Sequence, residues 1–344
     1  MIGRTRALLS AVLLLAGCAG VPREPSGIRP SPGQRPVATY SIVARDPGSG
    51  QIGVAVQSHW FSVGTVVSWA EAGVGAVATQ SLVDPSYGPL GLAHMRAGRT
   101  APDALTALLA GDAGRDVRQV AMIDAAGRVA AHTGARCIAE AGHEVDSEAT
   151  FSVQANLMED SAVWPAMANA FRAATGDLAE RMLAALEAAQ AVGGDIRGKQ
   201  SAALLVVAAE ATGRPWEDRL FDLRIEDHPT PIRELRRLVR LQRAYRHMNA
   251  GDVAMEHGDF AAASDEYGAA RHLAPEIVEI PFWHAVTLAN SGRIDESLPL
   301  FRGVFSKEPV WRTLVPRLVD AGLLTVDEAA VRRILAERGD GGDR

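Results

Sequence analysis

The sequence predicts an α+β protein: two stacked sheets covered by helix pairs, followed by an all-helical region. Three observations carry this prediction. Paired apolar runs of strand length alternate with paired helical patterns from Thr39 to about residue 227. The pattern turns purely helical near Pro229. Beyond about residue 243 a motif recurs at a spacing of 34 residues.

In chain order, "TYSIVAR" and "QIGVAVQS" are two short apolar runs joined by the turn "DPGSG". "VGTVVSWA" and "GVGAVATQSL" read as two more strands, broken at Gly73 and Gly75. Helical patterns follow near Tyr87–Ala97 and Pro102–Ala110, the second with Thr100 as N-cap and Pro102 in its first turn. Strands return in "RQVAMID", "RVAAHTG" and "ATFSVQANLM", and helices at Ala162–Ala174 and Asp177–Ala191. "SAALLVVAAE" reads as a buried strand and "DRLFDLRIED" as its neighbour. "PTPIRELRRLVRLQRAYRHM" is a basic amphipathic helix that links to the next unit.

The repeat superposes "HGDFAAASDEYGAARHLAPE" on "SGRIDESLPLFRGVFSKEPV". Gly258 pairs with Gly292, Tyr267 with Phe301 and Pro275 with Pro309, while Gly251, Ala263 and Ala270 supply small residues for close helix packing. Period and positions resemble the tetratricopeptide repeat, although His247 and Pro281 stand where its first-helix aromatic belongs. Residues 311–335 supply a third, capping hairpin. Such arrays present a concave surface to a protein or peptide partner, or else only stabilise the domain or a dimer.

A length of 344 residues with 47% hydrophobic content allows about two domains. The net charge of −6, from 35 basic and 41 acidic residues, argues against nucleic acid as a partner. Arg4 and Arg6 precede an apolar run, Ala7 to Ala16, too short to span a bilayer. "LLAGC" then ends at Cys18 and resembles the bacterial lipobox, which implies an acylated Cys18 as mature N-terminus and a membrane partner through that lipid. The other reading is an ordinary signal peptide with an incidental cysteine. Either way the expected location is exported, in the cell envelope. Residues 19–38, with Pro22, Pro25, Pro30, Pro32 and Pro36, form a tether. Only Cys137 remains, so no internal disulfide is expected and Cys137 reads as a small buried residue. The expected organisation is signal and lipobox 1–18, tether 19–38, sandwich domain 39–242 and helical repeats 243–344.

Five motifs occur in order: "SIVARDPGSGQIGVAVQS", "AGVGAVATQSLVDPSYGPLGL", "GRVAAHTGARCIAEAGH", "FSVQANLM" and "GGDIRGKQSAALLV". Over residues 39–242 they resemble the bacterial family called domain of unknown function 1028, grouped with the N-terminal nucleophile (Ntn) hydrolases. The resemblance implies a four-layer αββα sandwich and places Thr39 where an Ntn nucleophile stands; it implies no substrate. In that chemistry the hydroxyl attacks an amide and the residue's own α-amine, with a pKa near 8, takes the proton. Thr39 would first have to be freed by a cut after Ala38, which would also separate the body from its lipid. The other role for Thr39 is a β-former opening an edge strand.

Further candidates surround it. In "GGDIRGKQSAA", Asp195 and Lys199 would tune charge beside the nucleophile, and Arg197 and Ser201 would contact substrate; a solvated turn with a salt bridge is the alternative. Ser58 and His59 end a strand, His59 as a base or as a structural residue beside Trp60. Gln80 belongs to "ATQSLVDPSYG", where Asp84 caps a local turn. Gln154 and Asn156 carry amides able to hold an oxyanion or to pair within the sheet. No metal-ligand spacing, phosphate loop or dinucleotide fingerprint occurs, so no cofactor is expected. Two functions stay open: a membrane-anchored amide or peptide hydrolase, and a non-catalytic envelope binding or scaffold protein.

Overall fold

The computed structural model of the chain describes residues 39–337. Cys18, the signal segment 1–18 and the tether 19–38 lie outside the described residues. β1 (Thr39–Arg45) and β2 (Ile52–Ser58) open the fold as a hairpin. Their turn closes because Asp46 accepts from the Ser49 amide at 2.8 Å and Gly50 adopts φ +72°. Next come α1 (Gly64–Val67), β3 (Ser68–Glu71), β4 (Gly75–Ser81), α2 (Tyr87–Arg96), α3 (Ala101–Gly111), β5 (Arg118–Asp124) and β6 (Val129–Thr133). β7 (Gly142–Asp146), β8 (Phe151–Asn156), α4 (Val163–Ala173), α5 (Leu178–Ala191), β9 (Ser201–Val207), α6 (Pro215–Asp218) and β10 (Arg219–Ile225) complete the mixed region. Thr100 caps α3 by accepting from Asp103 N at 3.1 Å, and Asp177 caps α5 by accepting from Glu180 N at 2.9 Å.

The strands form two antiparallel sheets, ordered β10-β9-β2-β1-β8-β7 and β3-β4-β5-β6. Strand periodicity divides their side chains between three cores. Val43, Val54, Val56 and Ala203 of the first sheet meet Ala76, Ala78, Ala121 and Ile123 of the second. On its other face the first sheet packs Ile42, Phe151, Val153 and Leu204 against Met167, Phe171, Met182 and Leu186 of α4 and α5. The second sheet packs Val77, Val120 and Met122 against Tyr87, Leu92 and Leu105 of α2 and α3. Coverage on both faces explains why β1, β2, β4, β5 and β8 read as near-continuous buried runs.

Three local expectations are corrected. β1 is not an edge strand: it lies between β2 and β8. The run "VGTVVSWA" is not one strand, because Ser62 turns the chain at φ +56°, its amide donates to Glu226 O and the Val63 amide donates to Ser201 Oγ. The chain there makes the helical turn α1 before β3 begins. β7, the polar sequence "GHEVD", is an additional strand at the sheet edge. It is held by pairing to β8 and by Arg172, which bridges Glu144 and Asp146.

The rest is helical: α7 (Pro231–Glu256), α8 (Phe260–Leu273), α9 (Glu279–Asn290), α10 (Ile294–Lys307), α11 (Leu314–Asp320) and α12 (Glu328–Ala336). The boundary expected at residues 242/243 falls inside α7, which serves both regions. Its first half buries Ile232, Leu235 and Val239 in the core of α4 and α5, and its second half buries Ala244 and Met248 against Ala263, Tyr267 and Ala270 of α8. Arg236 pairs with Glu187 and Arg243 with Asp177, tying α7 to α5. Gly258 and Gly292 stand just beyond α7 and α9 at φ +72° and +80°, the left-handed position that ends a helix. Gly251 lies under Tyr267, whose ring would sit 3.0 Å from an added Cβ.

His284 of α9 is buried with 8% exposure, its Nε2 3.1 Å from Ser264 Oγ. Burial, helped by Arg271 and Arg293, lowers its pKa from 6.5 to about 4. The unfolded chain therefore takes up a proton between pH 6.5 and 4 that the folded chain refuses. Stability present above pH 6.5 should fall as pH drops toward 4, by on the order of 3 kcal/mol. Urea titrations at pH 7 and pH 5 check this: His284→Leu should flatten the difference, and an unchanged pH dependence would refute the assignment.

Candidate functional site

Register alignment places four polar residues side by side across the first sheet. Ser201 of β9 pairs with Ser58 of β2, Ser58 with Thr39 of β1, and Thr39 with Asn156 of β8. All four are fully buried. Thr39 Oγ1 donates to Ser58 Oγ at 3.1 Å. Ser201 is occupied by structure, accepting from Val63 N at 3.1 Å and donating to Trp60 O at 2.5 Å.

The second sheet answers with its own polar row: Gln80 of β4, Gln119 of β5 and Thr133 of β6. Gln80 Nε2 donates to Thr39 O at 3.1 Å and to Gln119 Oε1 at 2.7 Å. Asn156 Nδ2 also donates to Gln119 Oε1, at 2.9 Å, and lies 3.5 Å from Thr39 O. One layer deeper, Ser41 Oγ donates to Gln80 Oε1 and accepts from Gln154 Nε2, both at 2.6 Å. Gln119 Nε2 reaches Ala155 O at 2.8 Å and Thr133 Oγ1 at 2.9 Å, and Thr133 meets His143 Nδ1 at 2.8 Å. The sheets are thus joined at this end by a network of amides and hydroxyls instead of a dry core. Such a network, nearly all of it satisfied, fixes one register between the sheets. Burial, reinforced by His132, lowers the pKa of His143 and keeps it neutral near pH 7. Asn156 Oδ1 is the exception: it is buried and accepts no hydrogen bond.

Asp195, Arg197 and His59 form a second cluster. Buried Asp195 accepts from His59 N at 2.9 Å and from Arg197 Nη2 at 2.9 Å. Its field, after burial itself, pushes the Tyr40 phenol pKa well up. Asp195 therefore anchors the loop to the end of β2, with its charge answered by Arg197. His59 contributes its backbone here, and its ring is exposed. Lys199 is exposed too, on the wall of a 360 Å³ cavity with Gln190, Thr230 and Pro231. Among the described residues it has no hydrogen-bond or ion-pair partner. Thr39, Ser58, Gln80, Gln154 and Asn156 are brought together; Asp195 and Arg197 pair with each other beside them; neither Lys199 nor the His59 ring hydrogen-bonds Thr39.

Arg118, next to Gln119, is 1% exposed and lies under the second sheet's end of the site. Its Nε donates to Asp112 Oδ2 at 2.9 Å, an oxygen that also accepts from Tyr87 OH at 3.0 Å. Cys137 Sγ donates to Arg118 O at 3.3 Å, and burial raises the thiol pKa, which makes this cysteine a poor nucleophile.

The sequence profile described as "Family of unknown function (DUF1028)" matches residues 39–235. The chain belongs to this family. The crystal structure of a Silicibacter pomeroyi protein placed in the same family is 33% identical to it. That likeness covers 59% of this chain and 88% of that one, with a TM-score of 0.52. No curated protein matches. The DUF1028 match begins at Thr39 and ends within the first turns of α7, so the helices after it lie outside the family region. Within the DUF1028 region the sequence reading missed Gln119, Ser41 and Thr133. Parity could have found them, since Gln119 alternates with Ala121 and Ile123, and Ser41 with Val43, on faces turned to the opposite sheet.

Proposed function

We propose that the DUF1028 region is an Ntn-type amide hydrolase on an αββα sandwich, active once the bond between Ala38 and Thr39 is cut. The observation that carries this reading is the place of Thr39: it opens an interior strand, its hydroxyl 3.1 Å from Ser58 Oγ, and the family match begins at the same residue. The freed α-amine takes the hydroxyl proton, directly or through Ser58, as Oγ bonds to the substrate carbonyl carbon. Asn156 Nδ2 would receive the oxyanion by giving up its long 3.5 Å contact with Thr39 O, and its partnerless Oδ1 would accept from the new amine. The amine fragment leaves with the proton, and water then hydrolyses the ester on Thr39. Gln80, Gln119 and Gln154 hold the geometry.

Cys18 acylation would hold the uncut chain in the cell envelope, and the helical region would serve as a tetratricopeptide-like peptide module. The period of 34 residues and the matched roles of Gly258 and Gly292 support the latter. A β-lactone probe tests the chemistry. The prediction is one acyl adduct, mapped to Thr39, on protein that begins at Thr39 and none on uncut chain; absence of an adduct on the cut protein would overturn the reading. Full burial of Thr39 in the uncut chain favours the second reading, a binding protein that never reacts.

A further inference from the structure

The helical region holds a groove of about 590 Å³ between α7, α9 and residues 322–325. Met248, Met255, Trp283 and Leu323 give it an apolar floor, and Asp252, Glu256 and Glu279 give it charge; no lysine, arginine or histidine lines it. Asp252 accepts from Tyr267 OH. Glu256 and Glu279 have no hydrogen-bond or ion-pair partner for their carboxylates among the described residues. That sets them apart from Glu276, Asp295, Glu296 and Glu337, each paired with an arginine. An apolar groove edged by unanswered carboxylates fits an extended, basic, proline-bearing peptide.

The chain carries one. Residues 19–38 hold Arg23, Arg29 and Arg35 against the single acid Glu24, among five prolines. Proline favours the polyproline II form, which repeats every three residues. In that form a spacing of six would bring all three arginines to one edge and leave proline rings for an aromatic and methionine floor. Twenty residues at ~3.1 Å each reach about 60 Å from the fixed end at Thr39.

We propose that the groove between α7 and α9 is the docking site of this chain's own residues 19–38. Docking sets the distance between the body and whatever holds Cys18, and would keep body and tether together even after a cut before Thr39. The inference does not depend on that cut.

The test places a photoreactive residue at position 28 of the full chain and maps its cross-links. Expected are adducts within 248–256 and 279–290, with yield falling at least fivefold in Arg23→Glu/Arg29→Glu/Arg35→Glu. Glu256→Lys/Glu279→Lys should produce the same loss, and combining the two sets should restore the yield. The arginine variant lies outside the helical fold, so its result stands even if the groove variant unfolds. Adducts joining isotopically distinct copies would place the tether in a neighbour's groove and still support the assignment. Adducts elsewhere, or yields indifferent to both charge changes, would overturn it, including the case in which another protein fills the groove.

Discussion

Thr39→Ala should lose at least about a thousandfold in amide hydrolysis while remaining folded. The stability loss should be small, about 1 kcal/mol, because one buried hydrogen bond to Ser58 disappears and Gln80 keeps its bond to the Thr39 backbone oxygen. Thr39→Val is the sharper variant: it keeps shape and strand preference and removes only the hydroxyl. Thr39→Ser should retain activity. Mass spectrometry of each purified variant, with turnover measured on a peptide amide library, separates the roles. If Thr39→Val hydrolyses as well as the parent, or Thr39→Ala is still cut after Ala38, the Ntn assignment is lost.

The second large effect concerns the support of the site. Asp112→Ala should cost about 3–5 kcal/mol, because it leaves the Arg118 guanidinium buried without its nearest counter-charge. Asp84 lies 3.9 Å from Arg118 Nη2, too far to replace the direct bond. Removing both charges in Asp112→Leu/Arg118→Met should recover part of the loss, since the buried guanidinium is gone while Tyr87 OH and Gly114 N still lose their acceptor. Chemical denaturation of the two variants beside the parent decides this. A double variant no more stable than Asp112→Ala would show that the cluster acts through shape and not charge. Because Arg118 pairs across the ladder with Ser81, one residue from Gln80, the single variant should also loosen the end of β4 that holds the Thr39 oxygen.

Much of the fold was legible because its strands are covered on both faces. Runs such as "RQVAMID" and "SAALLVV" carry consecutive apolar residues through their middles, and β5 and β9 occupy those letters. β7 was illegible for the opposite reason: as an edge strand it needs only one buried face, and "GHEVD" carries a single apolar branched residue. α1 looked like strand because tertiary hydrogen bonds from Ser62 and Val63 override the preference of its valines. The family resemblance marked Thr39, and chemical type marked Ser58, Gln80 and Asn156, but polarity alone could not separate Asp195 and Lys199. One is consumed by Arg197, and the other stands in solvent beside α7. Gln119, the residue that joins the two sheets' amides, lies in a run whose letters alone do not show that its side chain faces the other sheet.

Hydrolysis by Thr39 requires the chain to be opened before it, and the most direct measurement is N-terminal sequencing of the mature protein recovered from cells. The expected major sequence begins Thr39-Tyr40-Ser41. A mature protein in which every molecule retains residues 19–38 joined to Thr39 would contradict it.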